Sequence, residues 1–392
     1  MRRRTQVGIV GAGPAGLVLA HLLERSGIES IVLEDRSREY VEHRVRAGVL
    51  EQGTVDLLRE NGLAERLDRE GLVHHGIELR FLGRGHRIAL TDLTGGRSIT
   101  IYGQQEVVKD LVAARLADGG EIEFEVADVH LGDLDGDRPR ITYRAGDAEH
   151  RIDCDFVAGC DGFHGISRDA IPAGVLTEYH HEYPFAWLGI LAAVPPSTDE
   201  LIYARSSRGF ALHSLRSPSI SRLYLQVDPT EEIEAWPDER IWEELRQRFA
   251  TQDGWSLRDG PVVEKGIATM RSFVVEPMQY GRLYLAGDAA HIVPATGAKG
   301  LNLAVADVRL LARAIAAWYR SGSEALLDRY SADCLGRVWR AQDFSNYMSA
   351  MLHRYSDDPF SERLQLARLA YVTSSAAAAR SLAENYVGLP FD

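Results

Sequence analysis

Gln6-Val-Gly-Ile-Val-Gly11-Ala-Gly13-Pro-Ala15-Gly16 reads as a short apolar strand that runs into three spaced glycines. Apolar helical spacing follows from Leu17 to Ser26, then a second apolar run, Ser30 to Leu33, ending in Glu34. A bare Gly-x-Gly-x-x-Gly is a weak signal. Set between strand and helix, with an acidic residue about 20 positions downstream, it is a strong one for a dinucleotide. Gly11 makes the tight turn, Gly13 lets a pyrophosphate approach the backbone, and Gly16 lets helix and strand pack closely. Glu34 then takes the ribose hydroxyls of an adenosine. The passage predicts a Rossmann-like βαβ unit in an α/β chain, and by itself it does not separate FAD from NAD.

Two later stretches repeat the theme of a strand that stops at a carboxylate. Leu283 to Ala286 is a short apolar strand closed by Gly287-Asp288, where a carboxylate can accept a hydrogen bond from a sugar or ribityl hydroxyl. A turn with Pro294, Gly297 and Gly300 comes next, then a helix with Leu301, Val305, Val308, Leu311, Ile315 and Trp318 on one face. Bare glycines before a helix leave its first N–H groups free and present the positive end of its dipole, which suits an anion such as the edge of a reduced flavin. The second passage, Cys160-Asp161-Gly162-Phe163-His164-Gly165-Ile166-Ser167-Arg168, again puts a carboxylate and an arginine at the carboxyl edge of a sheet. That edge is where doubly wound folds bind ligands.

The 392 residues allow two domains, or one with a large insertion. A net charge of −13 argues against binding nucleic acid, which needs a basic face, but leaves room for a local cationic pocket. Lysine occurs only at Lys109, Lys265 and Lys299, and the last of these falls inside the 283–302 stretch, which marks it for testing. Cys154, Cys160 and Cys334 are scattered and odd in number, a reduced, cytoplasmic pattern with neither a disulfide frame nor a metal site. The basic start, Arg2-Arg3-Arg4, precedes an apolar run too broken by glycine for a signal peptide, and no segment approaches the ~20 apolar residues of a membrane span.

The βα texture extends over residues 1–177, with a strand-rich excursion at 75–97. Alternating runs over 178–271 predict an inserted, mainly antiparallel sheet for substrate, interrupted by a helix from Asp238 to Phe249. Residues 272–392 return to the first domain and continue as a helical region, read as Leu326 to Val338, Ala341 to Leu352 and Ser361 to Ala383. A compact loop, Arg44-Val45-Arg46-Ala47-Gly48-Val49, places two arginines beside a glycine. His74, Tyr203, Ser214 and Tyr224 read, on their own, as packing or strand residues.

With its three motifs in this order, the chain resembles the single-component flavoprotein aromatic monooxygenases from Thr5 to the terminus, and within them the members acting on 4-hydroxybenzoate. The most specific passages are Arg46-Ala-Gly-Val-Leu-Glu-Gln-Gly53, Cys160 to Arg168, Arg271-Ser-Phe-Val-Val-Glu-Pro-Met278 and Glu384-Asn-Tyr-Val-Gly-Leu-Pro390. The resemblance implies FAD held by Gly11, Gly13, Ala15, Gly16, Glu34, Arg44, Gln104 and Asp288. Val45, Arg46, Ala47, Gly48, Val49, Leu301 and Asn302 would approach the flavin ring. Arg216 would fork onto a substrate carboxylate, with Ser214, Leu215, Tyr224 and Ala295 around it. Tyr203 would bond the phenol, Tyr386 would lie behind it, and His74 would complete a proton path. Arg222 would position the flavin; Asp161, His164, Arg168 and Arg271 would line the nicotinamide side. The implied reaction is hydroxylation of 4-hydroxybenzoate at C3 with NADH or NADPH and O2, through a C4a-hydroperoxyflavin, in a homodimer.

The residue types suit that chemistry. An electrophilic oxygen donor is attacked best by a phenolate, and neutral tyrosines stabilise one while excluding water. Two positions depart from the family's familiar form. Pro294 is followed by Ala295 where a second proline is usual, which would loosen coupling or widen substrate range. Asp35 stands where an NADPH-using member carries a basic residue, which points to NADH, although Arg36, Arg38 and Arg44 lie within reach of a 2′-phosphate. The alternatives are the same chemistry on another aromatic acid such as 3-hydroxybenzoate or 4-aminobenzoate, a flavin reductase without oxygen insertion, and a non-catalytic FAD-binding sensor. A flavin halogenase lacks support, because its Trp-x-Trp-x-Ile-Pro signature is missing.

Overall fold

A computed structural model of the chain describes residues 2–44, 46 and 48–391. Strand Val7–Val10 is wholly buried and pairs in parallel with Ser30–Leu33 on one side and Phe156–Gly159 on the other. Leu283–Leu285 and Glu121–Glu123 extend this sheet in parallel, and only the edge strand Gln279–Tyr280 is antiparallel. Strands buried on both faces need continuous apolar runs, which is what these segments carry. The glycine turn, Glu34, Asp161 and Asp288 therefore all follow the carboxyl ends of four adjacent strands. Helix Pro14–Arg25 crosses over between Val7–Val10 and Ser30–Leu33, with Pro14 in its first turn where no N–H is required. Helix Gly300–Ser321 packs beside it and ends at Gly322, whose φ of 71° suits glycine.

The alternating segment forms an eight-stranded sheet. Its order is His291–Ile292, Val262–Glu276, Thr177–Ala192, Ile220–Val227, Gly209–Ser217, Leu201–Ser206, Ile77–Phe81 and Arg84–Ile88. All neighbours are antiparallel except Leu201–Ser206 on Ile77–Phe81. A period of two sends successive side chains to opposite faces. One face, with Phe185, Trp187, Tyr203, Phe210 and Leu212, packs on the C-terminal helices. The other, with Ala186, Leu188, Ile202, Ala204 and Leu223, packs on helix Asp238–Phe249 through Ile241, Trp242, Leu245 and Phe249. Each fully buried leucine, isoleucine or phenylalanine among them contributes roughly 1.5–3 kcal/mol.

The C-terminal helices differ from their sequence reading. Ala325–Leu352 is one continuous helix, because Trp339 and Arg340 merely face outward and interrupt the apolar pattern without breaking the backbone. The last helical stretch is two, Pro359–Ser374 and Ala376–Val387, since Ser375 leaves the helix and its hydroxyl caps Ala378 N at 3.4 Å. A short helix, Arg38–His43, capped by Ser37 on Tyr40 N, was hidden in a charged run. Among the described residues no helix is long and apolar enough to cross a membrane.

Three wholly buried histidines lie in or against this sheet. Burial pushes His74 and His213 down to about 4 and His353 to about 3. Each folded pKa is below its unfolded value near 6.5, so the unfolded state binds more protons in the window between them. Stability is therefore complete above about pH 6.5 and is lost as pH falls towards 4, on the order of 1 kcal/mol per unit and histidine. We expect the melting temperature to fall over that window, and His213→Gln to flatten the slope; an unchanged slope would show that His213 takes no part.

Candidate active site

The turn Gly11–Gly13 is shaped for a ligand backbone. A Cβ on Gly11 would lie 2.4 Å from Cys160 O and one on Gly16 2.0 Å from Gly11 O, so both positions admit only glycine. A Cβ on Gly13 would meet nothing within 4 Å, which leaves open space in front of an uncapped helix N-terminus. Ala15, in the first turn of that helix, is buried. Glu34 closes the next strand, where its carboxylate accepts from Ala12 N at 2.7 Å and Arg36 N at 3.0 Å. Burial first, and Asp35 beside it, push the Glu34 carboxyl up to about 7.

Asp288 sits in a 3-10 turn after Gly287, and among the described residues no hydrogen bond engages its carboxylate. Its tip stays open to solvent, yet protein crowds it on the other sides and raises its pKa against the pull of His291, Arg46 and Arg44. The turn is braced from behind by buried Asp307, which accepts from Gly287 N at 3.0 Å and pairs with His291 at 2.6 Å. Helix Gly300–Ser321 begins without a side-chain cap, next to Ala298 in the left-handed region at φ 55°. The Asn302 amide uses all of its valences: it accepts from Glu51 N and Thr54 Oγ1 and donates to Val49 O and Ala298 O, at 2.8–3.0 Å. This clamps Gly48 and Val49 onto the helix start. Val45 and Ala47 lie outside the described residues; Arg44 and Arg46 are exposed and Gln104 is half-buried.

Beside that clamp lies a hollow of ≈ 490 Å³, measured to its open mouth. Gly48, Val49, Ala295 and Ala298 bound it on one side, and Trp187, Tyr203, Ser214, Arg216, Arg222 and Tyr224 bound it from the sheet, with Leu215 alongside. Arg216 donates to Arg46 O at 3.0 Å and to Gln105 Oε1. Burial, then repulsion from Arg222, lowers its pKa, so an anion is welcome there. Arg222 lies over the Tyr224 ring at 5.3 Å, and two of its guanidinium nitrogens are buried without an acceptor. Tyr203 Oη and Tyr386 Oη are 2.6 Å apart, and Tyr203 also donates weakly to Thr296 O at 3.4 Å. Burial pushes both phenols up, so both are neutral. His74 is fully buried with neither ring nitrogen bonded to protein.

The third passage folds around Phe163. Arg168 donates to Phe163 O at 2.8 Å and Ala289 O at 3.2 Å, joining two turns, while Arg271 stacks on the Phe163 ring at 3.9 Å. Asp161 accepts twice from Ser167 at 2.9 Å and keeps its other oxygen buried without a partner; His164 is exposed. Sequence reasoning missed Trp187, Gln105 and Glu51. Glu51 holds the flagged Lys299, whose ammonium donates to Glu51 Oε1 at 2.5 Å and to the carbonyls of Asn385 and Tyr386. The alternation around Trp187 was visible, but nothing in it told which face meets a ligand.

The donor set fits FAD: an open cradle at Gly13, a helix N-terminus for the pyrophosphate, Glu34 and Asp288 for hydroxyls, and buried arginine nitrogens lacking acceptors. The profile of the FAD binding domain matches residues 4–345. The p-hydroxybenzoate hydroxylase of Acinetobacter baylyi is 48% identical over 390 residues, 99% of this chain and 96% of the relative. The rifampicin monooxygenase of Streptomyces venezuelae is 26% identical over 83% of this chain and 67% of its own length. In fold, the crystal structure of p-nitrophenol 4-monooxygenase from Pseudomonas putida superposes with a TM-score of 0.83 at 21% identity, covering 99% of this chain and 100% of that one. The chain thus belongs to the FAD-binding flavoprotein monooxygenases, in the family of p-hydroxybenzoate hydroxylase.

Proposed function

We propose that the protein hydroxylates 4-hydroxybenzoate at C3 to 3,4-dihydroxybenzoate, using O2 and NADH or NADPH. The observation that supports this reading is the lining of the hollow: Tyr203, backed by Tyr386, pairs across the sheet with Leu212, and Ser214 and Arg216 follow two and four residues further along that strand. A para-substituted aromatic acid matches a cation and a neutral phenol set apart along the sheet in this way. Gly11, Gly13, Ala15, Gly16, Glu34, Asp288, the amides of Leu301 and Asn302 and the loop 44–49 are assigned to FAD, with Arg222 steering its ring. FAD, when bound, supplies the two-electron reduction and the activation of oxygen.

The chain's own residues do the rest. Arg216 is pre-aimed by Arg46 O and Gln105, so little ordering is lost when it meets a carboxylate. Ser214 and Tyr224 add neutral donors to the same end. Tyr203, bonded to Tyr386, can accept the substrate's phenolic proton on its oxygen while releasing its own along the pair. The substrate is thereby richer in electrons at the carbon ortho to its hydroxyl. His74, neutral and unpaired on both nitrogens, suits the far end of the path: it takes a proton on one nitrogen and releases it from the other. Trp187, Leu201 and Leu212 keep water from the reacting centre. Asp161, His164, Arg168 and Arg271 are assigned to the nicotinamide side, and the exposed Asp35, paired with Arg36 at 3.4 Å, favours NADH by repelling a 2′-phosphate.

One observation favours a second reading, the same chemistry on another aromatic acid: Ala295 lines the hollow and leaves room that a proline would fill. We assign the protein to the cytoplasm as a homodimer. Phe360, Leu364 and Tyr371 stand exposed along one face of helix Pro359–Ser374 and suit a second copy, which a light-scattering mass of twice 43.5 kDa checks.

The deciding experiment incubates purified protein, O2 and each reduced nucleotide with 4-hydroxybenzoate, 3-hydroxybenzoate and 4-aminobenzoate, and identifies products. 3,4-Dihydroxybenzoate formed faster with NADH is expected; consumption of NADH without hydroxylation of any of the three acids overturns the reading. Arg216→Ala should raise KM for the acid by tenfold or more, because the carboxylate loses its charged partner; a rise under twofold would place the pocket elsewhere. Tyr203→Phe should bind the acid nearly as well yet divert most NAD(P)H consumption to hydrogen peroxide; unchanged coupling removes the phenolate step.

A further inference from the structure

Behind the sheet-side wall of the hollow, one imidazole has no role in the reaction described above. His353 ends helix Ala325–Leu352, is fully buried, and lies between the rings of Phe185 (centroids 4.0 Å, planes 11°) and Phe210 (4.2 Å, 36°). Its backbone is fixed on both sides: His353 N donates to Ser349 O at 2.9 Å, and Arg354 N donates to Gln226 Oε1 at 3.0 Å on the strand paired with Trp187. Its Nε2 is 2.7 Å from the indole nitrogen of Trp187. An indole N–H can only donate, so Nε2 must accept, which puts the imidazole proton on Nδ1, aimed at Ser349 O at 3.1 Å. The tautomer is therefore dictated, and the imidazole stays neutral, since burial holds it far below its ordinary pKa. Trp187 lines the hollow, and its ring is 4.8 Å from that of Tyr224.

We propose that His353 is a positioning residue for substrate binding: it anchors the Trp187 indole, and through it the Tyr224 ring, so that the hollow keeps the width of a single benzene ring. Without that acceptor the indole N–H is left buried and unpaired, a costly state that the ring escapes by turning away from the sheet. The hollow that Trp187 lines offers the room for that turn. The bond sets how well an aromatic acid fits, not how the ring reacts once seated.

This inference rests on the hollow being the substrate site, so the test includes Arg216→Ala in the same assay. His353→Phe keeps a ring between Phe185 and Phe210 but removes the acceptor; His353→Gln keeps an acceptor. We expect KM for 4-hydroxybenzoate to rise at least tenfold in His353→Phe, with kcat falling less than threefold, and KM in His353→Gln to stay within threefold of the parent. On a Trp187→Phe background, where no indole N–H remains, His353→Phe should add less than twofold. Should His353→Phe not accumulate as folded protein, Trp187→Phe alone must still raise KM while His353→Gln does not. Equal KM changes in the Gln and Phe variants, or effects of His353→Phe and Trp187→Phe that multiply, overturn the proposal. If Arg216→Ala also leaves KM unchanged, the substrate assignment has failed; if it raises KM while His353→Phe does not, only the role of His353 has.

Discussion

The Asn302 carboxamide is a buried clamp between segments far apart in the chain. Three of its four hydrogen bonds join the first turn of helix Gly300–Ser321 to the strand and helix start running from Val49 to Thr54, some 250 residues earlier in the chain, and the fourth holds Ala298 just before the helix. A buried amide with every donor and acceptor satisfied is rigid, because any shift strands a polar group away from water. Its side chain is therefore a clamp, and only its backbone is left to face a ligand. Gly48 completes the contact: it lies so close to Tyr102 O that a Cβ would approach to 2.2 Å. At Gly103, next in that segment, a Cβ would stand 2.8 Å from the Arg216 guanidinium, which would have to move aside. The clamp thus sets the distance between the dinucleotide fold and the guanidinium of the inserted sheet.

Buried charge follows the same logic. Lys299 is almost wholly enclosed, and desolvation lowers its pKa, opposed by Glu51. His291 is raised instead, because Asp307 and Asp288 outweigh its burial. Each pair leaves no net charge in the interior, and removing one member would strand the other. Both pairs brace backbone: Lys299 donates to the carbonyl of Tyr386, and His291–Asp307 hold the Gly287–Asp288 turn. The arginines of the hollow are different. Among the described residues neither Arg216 nor Arg222 forms an ion pair with a carboxylate; Glu106 and Glu264 act on Arg216 only from a distance, and less than its burial and the field of Arg222. Such a site favours an anion.

The eight-stranded sheet divides labour between its faces. Even spacing puts Phe185, Trp187, Tyr203, Leu212 and Ser214 toward the hollow and the C-terminal helices, and their neighbours toward helix Asp238–Phe249. The C-terminal helices therefore back the wall of the pocket: Tyr386 reaches Tyr203 from the last of them, and His353 reaches Trp187 from the end of another.

Local spacing was enough to read the glycine turn, the strand-to-carboxylate endings at Asp161 and Asp288 and the helix that starts at Gly300, because glycine placement and apolar period are properties of short windows of sequence. The alternation over 178–271 likewise announced an antiparallel sheet. The roles of Tyr203, Arg216 and Tyr386 entered through resemblance, since a strand tyrosine looks the same in a core as in a site. Other features arose only in three dimensions. Trp339 and Arg340 broke the apolar pattern of a helix that is continuous, and Ser375 ended one that composition alone would prolong. Arg168, read as lining the nicotinamide side, also ties two turns together. Glu51, Gln105, Trp187 and His353 gain their meaning from partners 100 to 250 residues away, and nothing within a window of twenty residues encodes such a distance.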